Sequence, residues 1–354
     1  MNEKVRLGSV GLGRWARVLA RGAQRGDVIE LASCFSRDAA KRQAFQEEFG
    51  VARSAATYDE LLADPEIEGV IITTPNDTHR ELVVQALEAG KGVFVDKPIS
   101  NTLGAAWEIS QAVERTGGTF AVGHSARRLA GHRIARRWIE EGRLGEPALA
   151  VATFTNERSL ELDETTWRSQ TDQSPGGGLV QLGVHHFDTL EYLFGPIASI
   201  GATVRRVHSR GDVPDLASMM LEFESGALGS VATGWSSPGS YGVTLCGTRE
   251  NLYYTLEFAN WDESHLTEQS CKLESQAYRS PERVDIGLTG SDMFREELDE
   301  FALAIRGAAR VEVGAREATR ALAAVFAALE SSERGGSLVS ISKVLEETGA
   351  GALV

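Results

Sequence analysis

Three groups of residues in this sequence have the types and spacing that chemistry needs. Gly11-Leu12-Gly13-Arg14-Trp15-Ala16 is a G-x-G-x-x-A run. Small residues there let a backbone approach a pyrophosphate, and a helix opening on the run offers N–H groups and the positive end of its dipole. The bland alternative is a tight turn that binds nothing. About 20 residues beyond such glycines an acid would hold a ribose 2′-OH. This chain has Ser36 there, then Arg37, with Lys41 one helical turn on. A hydroxyl and two cations suit a 2′-phosphate and favour NADP. The alternative is that Arg37 stacks on adenine and the coenzyme is NAD. The third group is Thr74-Pro75-Asn76-Asp77-Thr78-His79 together with Val95-Asp96-Lys97-Pro98. Both segments fall where strands of a parallel sheet would finish, and ligands bind outside such ends. Pro98 keeps Lys97 extended at the strand end. Taken alone, such a lysine is more often a solvated surface residue.

The elements that must position these groups read as follows. Strand-like runs at Val5–Val10, Val28–Phe35, Gly69–Thr74, Val93–Val95 and Thr119–Val122 alternate with helical runs near 15–26, 38–49, 58–62, 75–90 and 102–116. Alternation with short connections implies a parallel sheet covered on both faces. After Gly123 the pattern changes. A helix over about 128–141 and a strand over 148–156 lead through a loop with Trp167 and Arg168 to Gly176-Gly177-Gly178. A helix over 179–193 is followed by strand runs at 197–208, 215–223, 227–235, 241–247 and 250–257, with a hairpin turn at 222–226. Helices at 292–306 and 315–333 close the chain. The expected fold is an α/β Rossmann domain over 1–123, then an α+β domain with a large, mostly antiparallel open sheet over 124–354.

Composition limits the rest. The chain has 354 residues, 42% of them apolar and 24% charged, ordinary for a globular protein and enough for two domains at roughly 150 residues each. Lys and Arg number 36 against 50 Asp and Glu, a net charge of −14, which argues against a nucleic-acid partner. The longest apolar run, Ala321–Leu329, is far short of the roughly 20 residues of a membrane span, and with a strand-like run from Val5 no signal peptide is expected. Cys34, Cys246 and Cys271 are odd in number and far apart, which suits free thiols, a reducing compartment and a cytoplasmic location.

With the elements placed, TTPNDTH, ALEAGKGVFVDKPIS and GGGLVQLGVHHFD resemble the Gfo/Idh/MocA oxidoreductase family, closely spaced from Val5 to about Gly195 and more loosely to the end. The resemblance implies an N-terminal Rossmann domain and a C-terminal domain whose open sheet often joins members into homodimers or homotetramers. It also implies hydride transfer between NAD(P) and a carbinol or carbonyl carbon of a sugar, polyol or cyclic diol. It assigns coenzyme contacts to Gly11, Gly13, Arg14, Trp15, Thr74, Pro75, Asn76 and His79; Leu12, Ser36, Arg37, Lys41, Asp96 and Lys97 join them. The family's catalytic lysine falls on Lys97, preceded by Asp96 where Glu is usual. Its catalytic histidine falls on His185. Polyol dehydrogenases of the family carry an Asp four residues before that histidine, and here the position is Gln181. A carboxylate would stabilise imidazolium, whereas an amide only orients the ring.

On a helix Gln181, His185 and Asp188 share a face, while His186 points about 100° away as a core or interface residue. Asp188 then bonds His185 or a neighbouring backbone. With an ordinary pKa of about 6.5, a histidine is poised to take a carbinol proton, while the Lys97 ammonium would stabilise the developing alkoxide. The two side chains, from opposite halves of the chain, are expected to act over one nicotinamide. Arg128 (or Arg127), Trp167, Gln181 and His185 are the expected substrate contacts. Arg133, Arg136 and Arg137 read as a solvated helix face, and Trp167 either stacks on a sugar ring or plugs the core. No metal is expected, because His185 and His186 face different ways and no cysteine joins them. A glycosidase assisted by bound dinucleotide and a non-catalytic dinucleotide-binding regulator are the competing functions.

Overall fold

β1 (Val5–Val10) is buried along its length except at Arg6, as a strand covered on both faces must be. The computed structural model describes residues 3–256, 271–289 and 291–351. Behind β1 come α1 (Arg14–Gln24), β2 (Ile29–Phe35), α2 (Ala39–Phe49), β3 (Arg53–Ser54), α3 (Tyr58–Ala63), β4 (Gly69–Ile72), α4 (His79–Glu88), β5 (Gly92–Asp96), α5 (Leu103–Thr116) and β6 (Phe120–Gly123). The strands form a parallel sheet in the order β3-β2-β1-β4-β5-β6. The order reverses between β1 and β4, which opens a crevice at their carboxyl ends. Asp38, Thr57 and Thr102 cap α2, α3 and α5 through their side chains, each satisfying first-turn N–H groups that have no partner within the helix. The helix expected to start at Pro75 begins instead with a 3₁₀ turn over Asn76–Thr78, and α4 follows from His79.

The later elements are α6 (Ala130–Glu140), β7 (Pro147–Thr155), α7 (Arg158–Glu161), α8 (Val184–Phe194), β8 (Ile197–Arg205), β9 (Leu216–Phe223), β10 (Leu228–Gly234), β11 (Ser240–Gly247), β12 (Glu250–Leu256), β13 (Cys271–Ala277), β14 (Val284–Asp285), α9 (Met293–Ile305), α10 (Ala315–Glu333), β15 (Val339–Ser340) and α11 (Ile341–Glu347). The second sheet runs β14-β13-β12-β11-β7-β10-β9-β8-β15. Its neighbours are antiparallel except for β7 and β10. β9 alternates buried and exposed residues, the period-2 signal of a sheet with one open face. The expected turn between β9 and β10 forms, with Phe223 N–H donating to the Ala227 carbonyl at 3.0 Å. Glu257, the end of the run read as 250–257, lies outside the described residues.

The chain divides into two compact units, Met1–Ser125 with Asp292–Thr319 and Ala126–Ser291 with Arg320–Val354. A linear reading places all residues after 123 in the second domain. The segment from Asp292 groups with the first unit because α9 seats on the Rossmann sheet and α1. Phe294 meets Trp15 edge-on at 5.4 Å, and Phe301 lies 5.8 Å from Phe94. Gly22 on α1 makes that approach possible, since a Cβ there would stand 3.0 Å from the Phe294 Cβ. No helix among the described residues is long and apolar enough to cross a membrane.

Behind α8, between it, α6 and the sheet, lies a buried aromatic cluster. His186 lies tilted against Tyr241 at 4.9 Å and meets Phe154 edge-on at 5.9 Å, and His132 lies 4.8 Å from Tyr254. Burial pushes both histidines down to about 4. In the unfolded chain a histidine titrates near 6.5. Between these values the unfolded chain binds more protons, so acidification favours unfolding, by about 1.4 kcal/mol per histidine per pH unit at most. Melting temperature should therefore fall from pH 6.5 to about 4, the histidine contribution levelling off below that. His186→Phe should remove about half of that contribution, and an unchanged slope in thermal melts would refute the assignment.

Candidate functional site

In the first unit the site forms where β1 and β4 end. Gly11 takes a left-handed φ of +82°, and a Cβ there would stand 2.6 Å from the Thr74 methyl. Only glycine meets both demands. The Thr73 hydroxyl donates to the Gly11 carbonyl at 2.6 Å and fastens the two turns together. Gly13 is different, because a Cβ there would meet nothing within 4 Å. Packing does not demand this glycine; it leaves an open cradle above the backbone. Gly13 also gives α1 no side-chain cap, and no acid stands in the first turn. Nearby, the Asn76 side-chain amide is buried with no hydrogen-bond partner for Nδ2 among the described residues. An open cradle, an uncapped helix start and an orphaned donor fit the diphosphate and amide acceptors of a dinucleotide.

The other expected coenzyme residues have distinct fates. Leu12 commits its side chain to a core cluster with Ala16, Ala20, Cys34, Phe45 and Phe49, and its carbonyl accepts from Arg17 at 3.1 Å. Trp15 packs on Phe294. Arg37 and Lys41 are exposed at the β2–α2 turn. Asp38 directs its carboxylate to the N–H groups of Ala40 and Lys41. Arg42, which sequence reasoning missed, donates to the Ser36 carbonyl at 2.5 Å and holds this turn. Thr78 donates its hydroxyl within the Thr74–Pro75 turn. Asp96 and Lys97 are half-buried at the end of β5. His79 is buried beneath, its ring nitrogens each 3.0 Å from a carbonyl, those of Pro98 and Thr74. Burial holds its imidazole below the ordinary value, against the opposing pull of backbone bonds at Thr74, Pro98 and Ile99.

In the second unit His185 is half-buried near the start of α8, its ring 5.9 Å from Phe154. The segment read as one helix from 179 begins as a π-helical turn over Leu179–Gly183. Such wide turns are frequent at functional sites, and this one carries Gln181 directly ahead of His185. Gln181 is buried and donates from Nε2 to the Ser174 hydroxyl at 3.1 Å, which fixes the face its amide presents. Asp188 has a partner that neither sequence option named, since Arg127 grips both its oxygens at 2.7 Å in a buried pair. Arg127 is thereby engaged in the structure of α8. Arg128 is buried. Arg133 and Arg136 are not a simple solvated face, because they bond the Tyr192 hydroxyl and carbonyl. Trp167 is half-buried in a 3₁₀ turn with the Arg168 guanidinium 4.2 Å over its ring. Nothing in the local sequence marks Ser174, Phe154 or the Arg127–Asp188 pair, whose members lie far apart along the chain. Among the described residues no three His, Cys, Asp or Glu side chains gather as a metal site would need.

A parallel sheet in this order, with a glycine cradle at its switch point, defines a dinucleotide-binding protein. Comparison with known proteins goes further. The model for the oxidoreductase family with an NAD-binding Rossmann fold matches residues 5–124, and that for the GFO/IDH/MocA C-terminal domain matches 132–253. A solved structure from Desulfitobacterium hafniense DCB-2, described provisionally as an NADPH-dependent oxidoreductase, is 35% identical. The match covers 98% of this chain and 100% of that one, with a TM-score of 0.93. The 1,5-anhydro-D-fructose reductase of Ensifer adhaerens is 26% identical over 333 residues, 93% of this chain and 97% of its own. The scyllo-inositol 2-dehydrogenase (NAD(+)) of Bacillus subtilis is 30% identical over 263 residues, 72% of this chain and 74% of its own. The chain belongs to the Gfo/Idh/MocA family and is an NAD(P)-dependent oxidoreductase.

Removing one member of a buried ion pair leaves the other charge desolvated and alone, a loss of about 3–5 kcal/mol. Asp188→Ala should destabilise the protein by that amount in urea unfolding, and Arg127→Met with Asp188→Leu should recover most of it. A single variant as stable as the parent would contradict the pairing.

Proposed function

We propose that this protein moves a hydride between NADP, preferred over NAD, and one carbinol or carbonyl carbon of a sugar, polyol or cyclic diol. The observation that carries the proposal is Lys97, half-buried at the end of β5 beside a switch-point cradle that suits a dinucleotide. When bound, the nicotinamide supplies or receives the hydride. Lys97 hydrogen-bonds the reacting oxygen as ammonium and stabilises negative charge as it develops. His185 takes the carbinol proton in oxidation and returns it in reduction. Gln181, held by Ser174, orients polar groups at this position without adding charge. Arg128 and Trp167 complete the substrate contacts. The substrate class is supported by the relatives that reduce an anhydro-sugar and oxidise an inositol.

Preference for NADP is supported by Arg37 and Lys41, two exposed cations beside Ser36, and by the carboxylate of Asp38 being spent on the start of α2. Assembly as a homodimer or homotetramer through the open sheet belongs to the same reading. Leu149 and Val151 on β7, Leu228 on β10 and Met220 on β9 are exposed there on three adjacent strands, an apolar patch of the kind that marks interfaces. Cys34, Cys246 and Cys271, none of them in a disulfide, support a cytoplasmic location.

Reduced-nicotinamide absorbance with polyols, aldoses, glycosides and dihydrodiols, using NAD and NADP in turn, tests the activity. Lys97→Ala and His185→Ala should each lose about 10²–10⁴-fold in kcat while still binding coenzyme; parental turnover in both rejects the scheme. Arg37→Asp should remove the preference for NADP, and an unchanged NADP/NAD ratio rejects that assignment. Glycoside cleavage with no net reduced coenzyme would instead mark the dinucleotide-assisted glycosidase. Light scattering should give a mass of at least twice 38.2 kDa, and a single-chain mass removes the sheet interface.

A further inference from the structure

His79 is the residue at which the two turns of the Rossmann site meet. Its side chain is 1% exposed. Nδ1 faces the carbonyl of Pro98 and Nε2 the carbonyl of Thr74, each at 3.0 Å. Pro98 follows Lys97 directly, in the connection after β5. Thr74 lies in the connection after β4, which carries Asn76 and abuts Gly11. Neither carbonyl is part of a strand or helix, so neither turn is held there by the sheet ladder. A rigid imidazole between them sets their separation. A neutral ring donates to one carbonyl in each tautomer, and an imidazolium donates to both.

We infer that His79 is a positioning residue, which holds the Lys97–Pro98 turn at a fixed distance from the Thr74–Thr78 turn and so presents the Lys97 ammonium in one place. The expected coenzyme contact at His79 is thus replaced by action through two backbone carbonyls. The inference rests on the role proposed for Lys97 above. Misplacing a catalytic group by about 1 Å can cost about 10²-fold in rate, and a ring that only fills space would have no such effect on turnover.

The test compares His79→Leu, His79→Gln, Lys97→Ala and the double variant His79→Leu/Lys97→Ala, using intact protein. NADPH affinity is read by nicotinamide fluorescence, kcat per NADPH-binding site by absorbance, and folding by thermal melts. His79→Leu should lower kcat about 10- to 100-fold while NADPH affinity moves by less than about 3-fold. The same change on the Lys97→Ala background should cost less than about 3-fold more, because residues acting through one another are not additive. His79→Gln keeps an N–H donor and should regain much of the lost kcat; it also carries the test if His79→Leu fails to fold. A multiplicative loss in the double variant overturns the inference, as does unchanged kcat per binding site with only a lower melting temperature. Parental turnover in Lys97→Ala alone is a separate failure, that of the role assigned to Lys97, and it removes the basis for this inference.

Discussion

The first unit depends on how closely the ends of two neighbouring strands approach. β1 and β4 lie side by side in register, Val10 against Ile72, and the sheet order reverses between them. The backbone of Gly11 runs so near Thr74 that no side chain fits between. From this constraint follow the left-handed turn, the direction in which α1 starts and the open cradle over Gly13. The adjacent turns are fastened by hydrogen bonds from Thr73 to Gly11 and from Thr78 to Thr74, and by the His79 ring, whose nitrogens face the carbonyls of Thr74 and Pro98. Irregular backbone at a ligand crevice needs such ties, because the sheet ladder has already ended.

The second unit fixes its histidine by other means. α8 presents His185 half-buried and buries its neighbour His186 completely, as adjacent positions about 100° apart on a helix require. The rotation of α8 is held by polar anchors along it. Asp188 is gripped by Arg127, Glu191 by Arg320 at 2.9 Å, and the Tyr192 hydroxyl by Arg133 at 2.9 Å. Burial raises the Glu191 carboxyl above its ordinary value, against the pull of Arg320. Desolvation offsets much of the attraction in such pairs, so they add little net stability. Their directional bonds select one orientation of the helix, and with it the direction in which His185 points.

Much of this was legible in the sequence because it is local. Burial on both faces makes β4, β5 and β6 largely apolar runs, and one open face makes β9 alternate. The Gly11–Ala16 run, the Lys97–Pro98 strand end and the His185–His186 pair stand out by type and spacing. Short or weakly patterned elements were illegible. β3, β14 and β15 have two residues each, too few to show a period. β13 turns Leu273 and Ser275 inward, so its buried face is half polar.

The sequence by itself determined the order of the longer elements, the Rossmann and open-sheet classes and the candidate coenzyme cradle, since each follows from residue type at a fixed spacing along the chain. Only the tertiary structure decided which polar groups are already spent. Asp188 goes to Arg127, Gln181 to Ser174, Asp38 to the start of α2 and His79 to two carbonyls. It also decided that α9 completes the first unit. The physical reason is that a buried polar group must find a hydrogen-bond partner, and packing, which joins residues as distant as Arg127 and Asp188, determines which partner is in reach.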